Sequence, residues 1–198
     1  MKKKTSRAKQ AEITKNKIYN CGVKLIRKHG FDNVTVEEIA KQAGVSVGTY
    51  YYYFESKFEL FSEIYKRADD YFLKEVADKF ESKDCKGKIL EFFDKYAEYN
   101  CLDGIDMIKK LYTSDNKMFI TKGRAMQRIL EKIIDEGQRN GEIINSESPA
   151  EITRMLFIVA RGVVYNWCLN DGAIDLKDEM RKIIAAMLNG LCNSKIDM

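Results

Sequence analysis

Thr35-Val36-Glu37-Glu38-Ile39-Ala40-Lys41-Gln42-Ala43-Gly44-Val45-Ser46-Val47-Gly48-Thr49-Tyr50-Tyr51-Tyr52-Tyr53-Phe54 reads as two short helices joined by a tight turn. Thr35 with Glu38 three residues later makes a capping box, which fixes where the first helix starts. Val36, Ile39, Ala40 and Ala43 recur at helical spacing and give that helix one buried side. Gly44 supplies the turn by accepting a positive φ. Val45 fills the space between the helices, and Ser46 is placed to N-cap the second. No charge falls between Val47 and Phe54. Tyr50 and Phe54 are spaced to face inward beside Val45, which leaves Tyr51 and Tyr52 outward and Tyr53 undecided.

The flanks extend the pattern. Upstream, Ile18, Cys21, Gly22, Leu25 and Ile26 form one apolar helical stripe, with lysines and Arg27 on the other face. Gly30 ends that helix as a C-terminal cap, Phe31 follows as its apolar contact, and His29 sits in the last turn where a partly positive ring suits the dipole. Downstream, Ser56 and Glu59 make a second capping box. Phe58, Phe61, Ile64, Tyr65, Ala68, Tyr71 and Phe72 then keep helical spacing to about residue 80. Two short helices across a glycine turn, held between longer ones, are the plan of a helix-turn-helix, which lays one helix into the DNA major groove. Charge agrees. Residues 1–60 carry 12 Lys/Arg and 6 Asp/Glu, a net of +6, whereas residues 61–198 carry 22 and 24, a net of −2. The basic end is the end a phosphate-binding surface requires. Lys2, Lys3, Lys4, Arg7 and Lys9 are a solvated leader or an arm that adds salt-dependent DNA affinity.

Beyond this segment the chain breaks at Asp84–Gly87, and Ile89, Phe92, Phe93, Tyr96 and Ala97 mark a further helix. Asp103-Gly104 interrupts it, Ile105 to Tyr112 reads as a short helix, and Thr113 to Asn116 as a turn-rich loop. Met126, Ile129, Leu130, Ile133 and Ile134 mark a long helix with a glycine-rich exit from Gly137 to Gly141. Ser148-Pro149 starts the next, about 149–170, with serine at N-cap and proline at N1. It is apolar nearly all round at Met155–Ala160, which implies burial on more than one side. Asp171-Gly172 ends it. Asp175 caps a last helix whose stripe is Met180, Ile183, Ile184, Met187, Leu188 and Leu191. With no convincing strand, the chain is expected to be all-α with about nine helices. Its domains are expected to be a helix-turn-helix domain over 11–65, whose connecting helix runs to about 80, and a helical domain over 66–198.

Several function classes drop out. No apolar run approaches the roughly 20 residues of a membrane span, the longest stopping at Arg161, and Met-Lys-Lys-Lys has no apolar segment behind it. A cytoplasmic protein is expected. The five cysteines include no Cys-x-x-Cys pair, and with His29 as the single histidine, zinc-ligand spacing is absent. No metal and no cofactor are expected. The thiols read as free and mostly buried, with a redox-sensing thiol as the alternative. Neither a nucleophile elbow nor a phosphate loop occurs, so an enzyme is not expected.

Thr35-Val36, Ile39-Ala40, Ala43-Gly44-Val45-Ser46, Gly48-Thr49, Tyr51, Phe54, Ser56-Lys57 and Leu60, with Gly30-Phe31 before them, closely resemble the DNA-binding domain of tetracycline-repressor-like (TetR family) regulators. The resemblance covers roughly residues 11–65. Residues 66–198 resemble the family only in outline, in helix lengths, the Gly137–Glu142 exit and the last two helices. It implies that Thr35 or Val36 meets a phosphate, and that Ser46, Val47, Gly48 and Thr49 lie close to bases and phosphates. It further implies that Tyr51 and Tyr52 reach phosphates or bases, and that Lys57 reaches another phosphate. Two positions depart from the family: Val47, where a basic or polar residue is common, and Tyr50, where an aliphatic one is.

The same resemblance implies a repressor that a small-molecule effector releases from a double-stranded, palindromic operator. A homodimer through the last two helices would supply the two recognition helices. Tyr96, Met107, Tyr112, Met126, Phe157, Arg161, Tyr165 and Trp167 are the expected linings of a mostly apolar effector pocket. Arg161 is the sharpest of them, since a cation amid apolar residues needs an acidic partner or an anionic ligand. The rival to a small-molecule effector is an adaptor whose second half binds a protein partner.

Overall fold

The structure is a computed structural model that describes residues 6–112 and 117–192. Lys2, Lys3, Lys4 and the Thr113–Asn116 loop lie outside the described residues, as do the side chains of Arg27 and Phe61.

Nine α-helices follow in order among the described residues: α1 (Ser6–His29), α2 (Val36–Ala43), α3 (Val47–Tyr53), α4 (Lys57–Tyr71), α5 (Cys85–Asp103), α6 (Ile105–Leu111), α7 (Ala125–Arg139), α8 (Pro149–Leu169) and α9 (Leu176–Leu191). A 3-10 turn, Lys117–Ile120, precedes α7. The fold is all-α; the described β pairing is one isolated bridge between Ile143 and Cys192.

The caps explain most of the boundaries. Ser148 accepts from the Glu151 N–H with Pro149 at the first helical position, and Asp175 accepts from the Asp178 N–H. Three expectations shift. α4 does not run on as a regular helix to residue 80: it widens into a π-helical turn, Phe72–Val76. The break expected at Asp84–Gly87 lies upstream, because Asp84 is itself the N-cap of α5 and accepts from the Gly87 N–H at 2.7 Å. Gly137 is not part of the glycine exit; it sits inside α7, where a Cβ would come within 2.8 Å of the Cys85 Cβ. It is a close-packing position between α5 and α7, and the exit proper is Gly141, with φ 73°.

The described residues up to Tyr65, with those from Asp106 to Tyr112, form one compact unit. Lys66–Ile105 and the described residues from Lys117 onward form the second. The stretch 106–112 therefore groups with the first unit rather than with the rest of 66–198. In the second unit α5 packs along α9, and α8 packs against α7 and α9. Its core is an aromatic cluster: Phe72–Phe92 centroids lie 4.8 Å apart, Phe92–Phe93 5.2 Å, and Phe157 stands edge-on to Phe93 and to Tyr96, 5.8 Å from each. By length and composition α8 could cross a membrane, with half of that stretch buried within the protein. It passes because its charges are few over 21 residues, which the short uninterrupted run Met155–Ala160 does not reveal.

Candidate nucleic-acid interface and effector cavity

In the first unit the helix-turn-helix is assembled by local hydrogen bonds. The Thr35 hydroxyl accepts from the Glu38 N–H at 3.2 Å, while the Glu38 carboxylate accepts from the Thr35 N–H at 2.8 Å. Gly44 takes φ 63°, as the turn requires, and its N–H closes α2 on Lys41 at 3.1 Å. The Ser46 hydroxyl accepts from the Thr49 N–H at 3.0 Å and shares a 2.8 Å hydrogen bond with the Thr49 hydroxyl. Tyr50 and Phe54 are fully buried. The Tyr50 hydroxyl donates to the Ser56 carbonyl at 3.2 Å, which pins the end of α3 to the start of α4. Burial, with the nearby Tyr51 and Glu59, raises the Tyr50 pKa well above the usual phenol value.

The outward face of α3 is what the spacing predicts. Ser46, Val47 and Gly48 are exposed, Thr49 is half-buried, Tyr51 is 49% exposed and Tyr52 81%. Tyr52 stacks edge-on against Tyr53, with centroids 4.9 Å apart. On α2, Thr35 is exposed and Val36 half-buried. This face offers hydroxyls, aromatic edges and the unpaired N–H groups of two helix starts, and it carries no carboxylate on α3 to repel phosphate.

Lys57, expected at a phosphate, is also bonded within the unit. Its ammonium is half-buried and donates to the carbonyls of Phe31 at 2.5 Å and Val34 at 2.7 Å, and it lies 4.1 Å from the centre of the Phe31 ring. It ties the start of α4 back to the α1–α2 loop, and two of its three donors are spent there. The second capping box is also changed. Ser56 accepts from the Glu59 N–H at 3.0 Å, but the Glu59 carboxylate takes the N–H of Glu55, not that of Ser56.

The expected pocket residues do not form one lining. Met107 and Tyr112 belong to the first unit; Tyr96, Met126, Phe157, Arg161, Tyr165 and Trp167 belong to the second. Tyr165 is 51% exposed on α8 and lines no described cavity. Tyr96 is buried in the aromatic cluster, and Met126 and Trp167 are buried as well. Phe157 and Arg161 do line a cavity, of about 560 Å³, between the first half of α8, α7 and residues 119–123. Phe119, Ile120 and Ile158 add apolar surface; exposed Lys122 and Arg154 add positive charge. Arg161 donates to the Phe119 carbonyl at 2.8 Å, so a backbone oxygen rather than an acid holds it. Sequence reading missed Thr153, which lines the same cavity and is only 2% exposed, with a buried hydroxyl that has no hydrogen-bond partner. A polar residue on the apolar, buried side of the helix is the signal that could have found it.

No metal-ligating cluster occurs among the described residues. Three of the five thiols sit where their reactive form is disfavoured. Burial, together with Glu142 and Cys192, pushes Cys85 up to about 12, and burial also raises Cys101 and Cys192. Each shift lowers the share of reactive thiolate at neutral pH.

Comparison with known proteins fits this geometry. A model of "Bacterial regulatory proteins, tetR family" matches residues 18–64, and one of "Tetracyclin repressor-like, C-terminal domain" matches residues 104–191. The fatty acid metabolism regulator protein of Bacillus subtilis is 24% identical over 185 residues, covering 89% of this chain and 94% of that protein. The structure of a transcriptional regulator FadR from Bacillus subtilis, in complex with stearoyl-CoA, superposes with a TM-score of 0.72 at 24% identity, over 89% of this chain and 98% of that one. A Thermus thermophilus FadR in complex with lauroyl-CoA superposes with a TM-score of 0.65 at 18% identity, over 93% of this chain and 98% of that one.

Proposed function

Since the chain belongs to the tetR family of bacterial regulatory proteins and is a DNA-binding transcriptional regulator, not an enzyme, we propose that it is a repressor released from its operator by an acyl-coenzyme A or a chemically similar amphipathic anion. The observation that carries the effector class is the cavity. It is within the usual size range of ligand pockets, and it joins the apolar Phe119, Ile120, Phe157 and Ile158 to the cations Lys122, Arg154 and Arg161, which outnumber the two carboxylates of the wall, Glu131 and Glu151. An apolar tail with a phosphate-bearing head matches both halves, and the two FadR structures above hold acyl-CoA ligands. A protein-binding adaptor would have no use for such a space.

Thr35, Val36, Ser46, Val47, Gly48, Thr49, Tyr51 and Tyr52 would make the operator contacts, the helix starts meeting phosphates and the tyrosines reaching bases or backbone. Lys57 acts indirectly, by holding the loop that presents α2. The working form is a homodimer through α8 and α9. Ile158, Gly162, Tyr165 and Leu169 make an outward apolar stripe along α8, and a Cβ built at Gly162 meets nothing within 4 Å. That open, glycine-centred face suits close approach of a second copy, whose recognition helix would read the other half-site. Acting on DNA, the protein works in the cytoplasm. Native mass spectrometry of protein purified from its own cells tests the effector class. A co-purifying acyl-CoA is expected, and a ligand without an apolar tail would refute the reading.

A further inference from the structure

We infer that the Thr153 hydroxyl is the polar anchor of the cavity and donates a hydrogen bond to the thioester carbonyl oxygen of the bound acyl group. The inference rests on the acyl-thioester reading above and adds the residue that recognises the group.

Thr153 lies one turn into α8, with the buried Ile152 and Leu156 as neighbours. A threonine inside a helix ordinarily returns its hydroxyl to the carbonyl four residues back. Here that carbonyl would be Pro149's, and the bond is not made: the oxygen is buried and without a partner. Buried polar groups left in this condition are few in native proteins, and each invites an explanation. Several other polar groups of the cavity wall are already engaged. Arg161 donates to the Phe119 carbonyl at 2.8 Å, and Arg154 is clamped on Glu151 at 2.8 and 2.5 Å. Ser148 caps α8 at 3.2 Å, and Gln127 bridges Arg124 and Thr121 at 3.1 and 3.0 Å.

Thr153 therefore contributes to the wall, beside the apolar Phe119, Phe157 and Ile158, a buried hydroxyl with no competing bond. A valine would fill the same space. The hydroxyl instead offers one hydrogen bond that an acyl carbonyl can accept and a plain alkyl chain cannot. A site built to bond a polar group discriminates against the analogue lacking it, because the analogue leaves the site's own group unpaired. Lys122 and the N–H donors that Arg154 and Arg161 have left over would hold the phosphates of the head, the apolar wall the tail, and Thr153 the junction between them.

The test compares lauroyl-CoA with its thioether analogue S-dodecyl-CoA, in which a methylene replaces the carbonyl. Both are titrated calorimetrically into the full-length protein as wild type, Thr153→Val and Thr153→Ser, and each unliganded protein is melted. Thr153→Val should bind lauroyl-CoA about 3- to 10-fold more weakly than wild type, the span of one net hydrogen bond. Thr153→Ser should stay close to wild type. The thioether should bind wild type and Thr153→Val alike, and unliganded Thr153→Val should melt no earlier than wild type, since no protein bond is lost. Equal weakening toward both compounds, an early melt rescued by serine, or no change at all would overturn the Thr153 assignment and leave the cavity reading standing. Failure of the wild type to bind either compound would overturn both.

Discussion

At the scale of single residues, side chains that bond their own neighbourhood are the legible ones. Thr35, Ser46, Ser148 and Asp175 announce themselves because an N-cap and the N–H it serves lie within three residues, a distance that sequence spacing encodes. Lys57 is the opposite case. Nothing in the spacing says that its ammonium reaches back to the carbonyls of Phe31 and Val34, far upstream. Its substitution should therefore act through the fold. Lys57→Met is expected to cost about 1–3 kcal/mol of stability by leaving both carbonyls unserved, and to weaken DNA binding as a consequence. Tyr52→Ala, at an 81% exposed position, should weaken DNA binding while leaving the melting temperature unchanged. Thermal melts beside gel-shift titrations check the contrast; a Lys57→Met protein that melts like wild type would show that the lysine is free to serve phosphate instead.

At the scale of elements, helix existence is legible from period and caps, but helix irregularity is not. The π-helical turn Phe72–Val76 keeps the same apolar residues, Phe72 and Val76, buried, so the hydrophobic pattern alone cannot distinguish it from continued α-helix. α8 shows the same limit in another form: its apolar circumference announces two buried sides without saying which is covered by its own chain. The structure assigns Ile152, Leu156, Ala160 and Val163 to the inside, and leaves Ile158, Tyr165 and Leu169 outward. If that outer stripe is the dimer face, Tyr165→Asp with Leu169→Asp should yield a folded monomer in analytical ultracentrifugation and sharply reduced operator affinity; a double variant that sediments as a dimer would place the interface elsewhere.

Between α5 and α9, the Asp94 carboxylate pairs with Arg181 through one oxygen while the other is buried without a partner. Burial outweighs Arg181 and raises its pKa above the usual carboxylate value. A raised carboxyl contributes its stability at low pH and loses it as pH rises through the folded value. Asp94→Asn should accordingly match or exceed the wild-type urea midpoint at pH 7, and the difference should close as the pH falls toward about 4. A variant clearly less stable at pH 7 would mean that the Arg181 pair outweighs burial.

At the scale of the whole molecule, the two units differ in how much their sequence tells. The first owes its function to local chemistry: caps, a turn glycine, hydroxyls on a short helix and a net positive charge, all readable in order along the chain. The second is proposed to act through a space lined by residues far apart in sequence, from Phe119 to Arg161. Of the eight residues expected there, Phe157 and Arg161 line it; Met126 and Trp167 are core, because apolar periodicity marks burial and does not separate a wall from a filling. On the proposed reading, release from DNA comes from differential affinity: the ligand favours a dimer geometry in which the two recognition helices no longer fit successive grooves.

That coupling is the central claim, and one titration addresses it. A fluorescent duplex selected by the protein from a random pool is bound to saturation at fixed salt, and lauroyl-CoA is added while anisotropy is followed, with coenzyme A alone as the control. Anisotropy should fall to that of free duplex with lauroyl-CoA and hold with coenzyme A. A complex that stays intact under lauroyl-CoA, at concentrations where calorimetry shows the ligand bound, would contradict the account.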